Sequence, residues 1–277
     1  MHTPKRYPTA LTIAGSDSGG GAGIQADLKT FSALGVFGTS VITAITVQNT
    51  YQVRAVEILS AQIIQSQLEA VLDDITVDVI KTGMLPTPEI IETLASTIDK
   101  YGLRTIVIDP VMVATSGARL TSANTIGSFK EILYKRLTLL TPNIPEAEAL
   151  SGIKIENKTD IYKAGDIFIN QGCNAVLIKG GHLQGERALD VLFSRNTDPE
   201  CFSSEFIKTN NLHGTGCTLA SAIAAYLSLG NDLTTSVRNA KQYISDAITA
   251  GSGVITGHGN GPVNHFFDPQ LLRTLET

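Results

Sequence analysis

Residues 211–218 read Asn-Leu-His-Gly-Thr-Gly-Cys-Thr, and a largely apolar segment follows over residues 219–229. Alanine and leucine dominate that segment. They are the strongest helix formers, and Gly230, directly after it, is a typical helix stop. The pattern therefore predicts a glycine-rich loop leading into a helix that is apolar on most sides and buried in a core.

The start of such a helix is a potential anion site. Its first backbone N–H groups have no partner inside the helix, and the helix dipole adds a partial positive charge. Gly214 and Gly216 would let the backbone approach a ligand, so phosphate is the expected anion. Cys217 lies in the first turn, where the same field is expected to lower the pKa of its thiol. A tight turn into a core helix, with a small buried cysteine, explains the same residues without a ligand.

Composition and charge exclude several classes of protein. The 277 residues are 43% hydrophobic and 17% charged, with a formal net charge of −5. This acidic balance, without a dense run of lysine or arginine, argues against nucleic-acid binding. No apolar run approaches the roughly 20 residues of a membrane span, and residues 1–9 lack the apolar core of a signal peptide. Three widely spaced cysteines form neither a disulfide framework nor a CxxC metal pattern, so we expect a cytoplasmic protein.

Short apolar runs alternate with helical patterns along the chain. The predicted strands include residues 11–14, 41–47, 77–80, 105–108, 137–140 and 175–178. The predicted helices cover about residues 24–34, 63–72, 90–98, 122–133, 145–150, 160–171, 219–229 and 234–250. Residues 188–194 and 202–209 are predicted to form a small antiparallel pair. Because such alternation is typical of βαβ units, we predict one three-layer α/β/α domain over residues 1–277 with a mostly parallel sheet.

Polar, charged and glycine residues gather where the predicted strands end, rather than where they start. These strand ends are residues 15–17, 48, 81–84, 109–110, 141–143 and 179–181. In open parallel sheets, ligands bind beyond the carboxyl ends of the strands. The sequence therefore predicts a small-molecule site along this edge.

The first glycine loop, residues 15–23, matches neither of two common nucleotide motifs. A P-loop requires lysine and serine or threonine after its second glycine, where Gly21 and Ala22 stand. A dinucleotide fingerprint requires an acidic residue after the second strand, which ends instead at Gln48. A flexible turn that caps a helix remains an alternative. A cysteine phosphatase is disfavoured because Ile223 occupies the place of its arginine.

Phosphoryl transfer fits the residues better. It needs a cationic clamp, a metal near carboxylates, preorganised hydrogen-bond donors and a positioned nucleophile. Lys179, at a strand end before two glycines, could reach phosphate. Asn143 and Glu146 lie three residues apart at a helix start and could face Mg²⁺ or its waters together. The alternatives are a helix cap for Asn143, a first-turn acid for Glu146 and a turn residue for Asp109.

A series of motifs runs in order over nearly the whole chain. They are residues 11–18 (Leu-Thr-Ile-Ala-Gly-Ser-Asp-Ser), 21–30, 43–50, 81–85, 107–112, 140–143 with 146–147, 178–182, 213–217 and 259–265. Together they resemble the vitamin-kinase branch of the ribokinase superfamily, and most of all its hydroxymethylpyrimidine/phosphomethylpyrimidine kinases of thiamine biosynthesis. The resemblance implies a ribokinase-like fold and a kinase that uses ATP and Mg²⁺. It would phosphorylate 4-amino-5-hydroxymethyl-2-methylpyrimidine to its monophosphate and then to the diphosphate.

The resemblance also implies roles for single residues. Gln48 is expected to hydrogen-bond the aminopyrimidine, because its amide matches a donor–acceptor edge. The other expected substrate residues are Gly15, Ala22, Asp27, Met84 and Val111. The expected catalytic residues are Cys217, Gly214, Thr215, Gly216 and Lys179. ATP is expected at Lys179, Thr141, Asn143, Gly214 and Gly216, and Mg²⁺ at Asp109 and Glu146. Cys217 stands where ribokinase has an aspartate base, and whether it removes the proton or only orients the hydroxyl is open.

Two other functions compete with this hypothesis. A pyridoxine/pyridoxal kinase of the same branch shares the glycine loop and the Gly-Thr-Gly-Cys motif, although Gln48 favours the pyrimidine. A non-catalytic vitamin-binding regulator would bind the ligand without releasing ADP. Retention of Lys179, Glu146 and Cys217 together argues against it. Proteins that the chain resembles are commonly dimers, so a homodimer is expected.

Overall fold

The computed structural model describes residues 4–112, 122–180 and 187–276, without the side chain of Arg187. The strands are β1 (Lys5–Arg6), β2 (Thr9–Asp17), β3 (Phe37–Gln48), β4 (Val53–Ile58), β5 (Val79–Thr82), β6 (Ile106–Ile108), β7 (Leu139–Leu140), β8 (Ala175–Lys179), β9 (Arg187–Ser194), β10 (Glu200–Glu205) and β11 (Leu275–Glu276). Nine of them form one sheet in the order β10-β9-β8-β7-β6-β5-β2-β3-β4, and β1 pairs with β11. Strands β8, β7, β6, β5, β2 and β3 run parallel, which confirms the predicted sheet. Two residues of the predicted motifs, Gly181 and His182, lie outside the described residues.

The helices are α1 (Gly23–Ala33), α2 (Ala61–Leu72), α3 (Pro88–Tyr101), α4 (Ala123–Ser128), α5 (Ile144–Ser151), α6 (Lys158–Asn170), α7 (Thr215–Ser228) and α8 (Leu233–Gly251). Several begin at a side-chain cap that satisfies a first-turn N–H group, as Ser60, Thr87 and Asp232 do. Helices α3 and α5 end at glycines in the left-handed region, Gly102 and Gly152.

Two apolar cores lie on opposite faces of the sheet. Side chains alternate between faces along a strand, so Leu11 and Ile13 of β2 enter one core and Ala10 enters the other. The first core includes buried residues of α2, α3, α5 and α6. The second includes Phe31 of α1 and the apolar residues of α7 and α8. The chain therefore folds into the predicted three layers, with α7 buried as its composition indicated.

The structure departs from the predicted elements at several places, among them the short pair β1 and β11, which was not predicted. Strand β4 was not predicted, and it pairs antiparallel with β3 at the sheet edge opposite β9 and β10. Its side chains are exposed or half-buried, so they lack the apolar run that identifies a buried strand. The predicted helix over residues 122–133 is divided into α4 and a π-helical turn, Phe129–Leu133. The predicted strand over residues 202–209 ends at Glu205.

The carboxyl ends of the parallel strands meet at one edge of the sheet. This edge carries Asp17, Gln48 and Lys179, the last residues of β2, β3 and β8. The glycine loop between β2 and α1 and the start of α7 lie at the same edge, because both line one cavity there. Among the described residues, no helix combines the length and hydropathy required to span a bilayer.

Candidate active site

A cavity of about 190 Å³ opens at this edge of the sheet. Its lining comes from residues far apart in the sequence. The lining residues are Ala14, Gly15, Ser16, Asp17, Ala22, Gly23, Thr46, Gln48, Gly83, Met84, Asp109, Val111, Asn143, Glu146, Lys179, Leu212, His213, Gly214, Thr215, Gly216 and Cys217. Every predicted site residue except Asp27 and Thr141 is among them. The sheet edge therefore brings the predicted residues together, as a parallel sheet requires.

The glycine loop is folded around the carboxylate of Asp17. Its Oδ1 accepts the N–H of Gly19 at 2.8 Å, and its Oδ2 accepts the N–H groups of Gly21 and Ala22 at 3.1 and 2.9 Å. Gly23, with a φ of 57°, opens α1 so close to β2 that a Cβ there would strike the carbonyl oxygen of Gly15. The loop is thus held by hydrogen bonds to Asp17 and forms one wall of the cavity.

Helix α7 presents its amino end to the cavity. Gly214 precedes it with a φ of 82°, and no side chain from the described residues caps this end. The N–H of Thr215 donates to the carbonyl oxygen of Leu212, so it is engaged in a turn. Because the first N–H groups of a helix point along its axis, those of Gly216 and Cys217 are the donors that can face an anion. In this structure the N–H of Thr215 is therefore not available to an anion.

Lys179 and Asp109 form an ion pair beside this helix start. The Nζ of Lys179 lies 2.8 Å from Asp109 Oδ1, which also accepts from Thr141 Oγ1 at 3.2 Å. A Cβ at Gly216 would lie 3.3 Å from Lys179 Nζ, so the ammonium and the helix start converge. Burial would lower the pKa of Lys179, but Asp109 and Glu146 hold it above its usual value. Thr141 is fully buried and supports Asp109 from behind.

Asn143 and Glu146 form a capping box at the start of α5. The Asn143 side chain accepts the N–H of Glu146, and Glu146 Oε2 accepts the N–H of Asn143, both at 2.9 Å. Glu146 Oε1 also accepts the N–H of Met112 at 3.3 Å. Burial raises the pKa of Glu146, with Asp109 adding to the increase. Asn143 is thus a helix cap and Glu146 a first-turn acid, as the alternatives to a ligand role stated. Both residues nevertheless line the cavity.

The predicted lowering of the Cys217 pKa is wrong. The thiol keeps partial exposure to the cavity, but the surrounding protein removes most of its solvation. This desolvation raises the pKa to about 11, even though Lys81 and the N–H of Gly23 act in the opposite direction. Cys217 is therefore a neutral thiol near pH 7.

Asp27 does not line the cavity. Its carboxylate is fully buried and accepts from Lys81 at 2.8 and 2.9 Å, from Thr12 at 2.5 Å and from Ser221 at 2.6 Å. These partners belong to β5, β2 and α7, so Asp27 ties α1 to the sheet and to the helix that carries Cys217. A direct contact between Asp27 and a substrate in the cavity is not compatible with this burial.

Gln48 and His213 lie next to each other in the lining of the cavity. Their Nε2 atoms lie 3.2 Å apart, and His213 Nε2 lies 2.8 Å from Asp17 Oδ2. Sequence reasoning did not assign Asp17 or His213 to the site, although both stand inside the motifs that carry the resemblance. They are separated by 196 positions, and only the meeting of the glycine loop with α7 joins them. Val111 lines the same opening with a φ of 29°, a conformation that β-branched residues rarely adopt.

Comparisons with known proteins agree with this geometry. A family model described as phosphomethylpyrimidine kinase matches residues 17–264. The hydroxymethylpyrimidine/phosphomethylpyrimidine kinase of Rhizobium meliloti (strain 1021) is 47% identical over 258 residues, which cover 93% of this chain and 96% of that protein.

Solved structures of two kinds of vitamin kinase are also similar to this chain. The phosphomethylpyrimidine kinase from Clostridium difficile 630 is 47% identical, with a TM-score of 0.77 over 87% of this chain and 99% of that one. The ADP complex of Bacillus subtilis pyridoxal kinase is 38% identical, with a TM-score of 0.86 over 94% and 98% of the two chains. The resemblance inferred from the motifs is therefore confirmed: the chain belongs to the phosphomethylpyrimidine kinase family.

Proposed function

We propose that this protein transfers the γ-phosphoryl group of ATP to the hydroxymethyl group of 4-amino-5-hydroxymethyl-2-methylpyrimidine, and then a second group to the monophosphate. The observation that carries the proposal is the convergence of the α7 start, Lys179 and Gln48 on one cavity. An amide suited to an aminopyrimidine and N–H donors suited to phosphate both line it. Membership in the kinase family supports the reaction type.

We place ATP in a cavity next to the one that would hold the pyrimidine. A second cavity of about 340 Å³ shares Asn143, Lys179, Thr215 and Gly216 with the first. Its apolar part is lined by Leu219, Ile244 and Ile248 and suits a purine base, while the shared residues suit phosphates. ATP in this cavity would direct its terminal phosphate toward the acceptor. The ADP complex of the Bacillus subtilis relative supports nucleotide binding by this fold.

Each of these residues has a separate role in the proposed phosphoryl transfer. Lys179 neutralises phosphate charge, and the N–H groups of Gly216 and Cys217 donate to the oxygens that gain charge in the transition state. Gln48 holds the pyrimidine. Cys217, as a neutral thiol, orients the attacking hydroxyl, because the loose transition state of phosphoryl transfer gives the protein little covalent chemistry to perform.

Mg²⁺ fits this arrangement if phosphates and waters supply most of its ligands. Asp109 and Glu146 both line the cavity, but each already accepts hydrogen bonds, and the described residues contain no cluster of three or more His, Cys, Asp or Glu suited to a metal. Kinase Mg²⁺ ions are usually held by one or two carboxylates plus substrate phosphates. When bound, the ion would neutralise phosphate charge. Asp109 and Glu146 would hold its waters.

An ADP-release assay with each candidate acceptor tests the proposal. We expect turnover with the hydroxymethylpyrimidine and with its monophosphate, and weaker turnover with pyridoxal. A clear preference for pyridoxal would favour the pyridoxal kinase alternative, to which the 38% identity with the Bacillus subtilis enzyme gives some support. Binding without ADP release from any acceptor would favour a regulator.

Replacing Gln48 by alanine is expected to weaken binding of the pyrimidine by about 1–3 kcal/mol, because polar atoms of the ligand lose their partner. Isothermal titration calorimetry measures the change. Gln52→Ala is the matched control, since Gln52 is exposed on the following turn and does not line the cavity. Equal affinities for Gln48→Ala and the parent protein would remove Gln48 from the substrate site.

Cys217→Ala is expected to lower kcat by only about tenfold, below the 10²–10⁴-fold typical of a general base. A thiol with a pKa of about 11 is protonated at neutral pH, and its thiolate fraction would rise tenfold per pH unit up to that value. An orienting thiol therefore gives a kcat without this rise between pH 7 and 9. The exposed Cys201→Ala is the control. A steep rise in kcat with pH that Cys217→Ala abolishes would identify Cys217 as the base.

We further propose a cytoplasmic homodimer built from one domain over residues 1–277. Ile45 and Val47 share one face of β3 and are 47% and 52% exposed, which suits coverage by a second copy. The cavity draws residues from both halves of the chain, which supports one domain. The cysteines are not disulfide-bonded, in keeping with a reducing compartment. Sedimentation equilibrium tests the dimer.

A further inference from the structure

The side-chain amide of Gln48 has two polar neighbours in the cavity. Its Nε2 lies 3.2 Å from His213 Nε2, and its Oε1 lies 3.2 Å from Thr46 Oγ1. The nitrogen and oxygen of a glutamine amide have nearly the same shape, so the correct orientation follows from what the neighbours donate and accept.

His213 Nε2 must be a donor. It lies 2.8 Å from Asp17 Oδ2, which also accepts the N–H groups of Gly21 and Ala22. Burial raises the pKa of Asp17, but the hydrogen bonds from His213 and from the loop together lower it by more, so the carboxyl is ionised. An ionised carboxylate only accepts, so the proton of the short contact lies on His213 Nε2. This nitrogen cannot accept an N–H from Gln48, whether the imidazole is neutral or charged.

Thr46 Oγ1 must be an acceptor toward Gln48. It lies 2.9 Å from the carbonyl oxygen of Ser16, which has no proton to give. The single hydroxyl proton of Thr46 therefore goes to Ser16, and only a lone pair remains for Gln48. With nitrogen toward His213 and oxygen toward Thr46, both contacts of the amide are mispaired. A half-turn of the amide removes both mispairings: its nitrogen donates to Thr46, and its oxygen shares the His213 Nε2 proton with Asp17 Oδ2 in a bifurcated contact.

We propose that Asp17, His213 and Thr46 are positioning residues that fix the Gln48 amide with its oxygen toward His213 and its nitrogen toward Thr46. Asp17 orients His213, the Nε2–H of His213 is shared between Asp17 and the Gln48 oxygen, and Gln48 donates to Thr46. Within this set of described partners, the amide keeps one N–H and one lone pair for a ligand. A fixed amide presents one donor–acceptor order, so these residues help to determine which heterocycles the cavity accepts.

The consequence for ligand choice rests on the proposed function. A 4-aminopyrimidine offers an amino donor beside a ring-nitrogen acceptor, whereas its 4-oxo analogue offers a carbonyl acceptor beside a ring N–H donor. An amide that is fixed by its neighbours matches one of these edges and opposes the other. An amide that can rotate matches the edges of both pyrimidines, but it binds each less tightly because its orientation must be fixed on binding.

Calorimetric affinities for 4-amino-5-hydroxymethyl-2-methylpyrimidine and its 4-oxo analogue test this. We expect the preference for the amine to fall about tenfold in His213→Phe and in Thr46→Val, because each loses one hydrogen bond that fixes the amide. Thr46→Val is nearly isosteric, which keeps the test valid if His213→Phe unfolds. Thr39→Val, on the same strand but outside the cavity, is expected to leave the ratio unchanged. An unchanged ratio in Thr46→Val would overturn the proposal.

Nuclear magnetic resonance of the ligand-free protein tests the orientation without any substrate. The side-chain NH₂ protons of Gln48 are expected to give stronger cross-peaks to the Thr46 methyl than to the His213 ring, with Nε2 of His213 protonated. The reverse pattern would overturn the proposal. A protein that binds neither pyrimidine but shows the expected cross-peaks would refute the proposed function and leave the positioning network intact.

Discussion

Replacing Lys81 by methionine is expected to destabilise the fold by about 3–5 kcal/mol, the loss typical when one partner of a buried ion pair is removed. Lys81 and Asp27 have no exposed side-chain surface, and two bonds of 2.8 and 2.9 Å join them. Burial alone would lower the pKa of Lys81, but Asp27 raises it above the usual value, so the ammonium keeps its proton. Methionine fills the space but leaves the carboxylate uncompensated. Urea denaturation measures the change.

Two further variants separate charge from packing. Lys100→Met removes a comparable bond of 3.0 Å to Glu69, but both of those side chains are exposed, so little change is expected. Asp27→Leu combined with Lys81→Met removes both charges and is expected to lose less than the sum of the single variants. Thr12 and Ser221 would still lose their acceptor, so stability does not fully return. A Lys81→Met protein as stable as the parent would contradict the stabilising role of this ion pair.

The fold was largely predictable because its signals are local. Apolar runs, glycine stops and capping residues predicted the parallel strands and most helices, and strand ends marked the edge that carries the cavity. Strand β4 was not predicted because its side chains are exposed or half-buried and form no apolar run. It is recognised as a strand only by its pairing with β3. The local pattern over residues 122–133 did not separate the two helical types into which this segment is divided.

The pKa values and contacts of the site residues were less predictable, because they depend on how deeply each side chain is buried in the folded protein. A sequence places Cys217 at a helix start, where the dipole lowers the pKa of a thiol, but it does not give the desolvation that raises this pKa to about 11. Asp27 stands in a glycine-rich motif, yet the sheet and α7 enclose it. Asp17 and His213 become partners only when both loops are folded. In each case, segments that are distant in the sequence surround the residue and determine its pKa or its partners, and the residue type alone does not predict this.

Replacing Gly214 by alanine is expected to lower kcat/KM by about 10²–10³-fold, the range seen when a donor to a developing oxyanion is removed. A Cβ at Gly214 would collide with the carbonyl oxygen of Gly21, and the φ of 82° disfavours any side chain. To relieve the collision, the glycine loop and the start of α7 must separate. That movement displaces the N–H groups of Gly216 and Cys217 from the proposed phosphate site, while their chemical identity is unchanged.

Gly230→Ala is the matched control, because Gly230 follows the other end of α7 with a φ of 86°, and a Cβ there would meet no described atom within 4 Å. Both variants carry the strain of a left-handed backbone, roughly 1–2 kcal/mol, but only Gly214→Ala adds a collision at the cavity. Steady-state kinetics and thermal unfolding of the two variants therefore separate the effect of backbone strain from the effect of displacing the N–H groups at the start of α7. If Gly230→Ala lost as much activity as Gly214→Ala, general destabilisation would explain both. If Gly214→Ala retained parental kcat/KM, the helix start could not be the donor site, because its position there depends on close contact with the glycine loop.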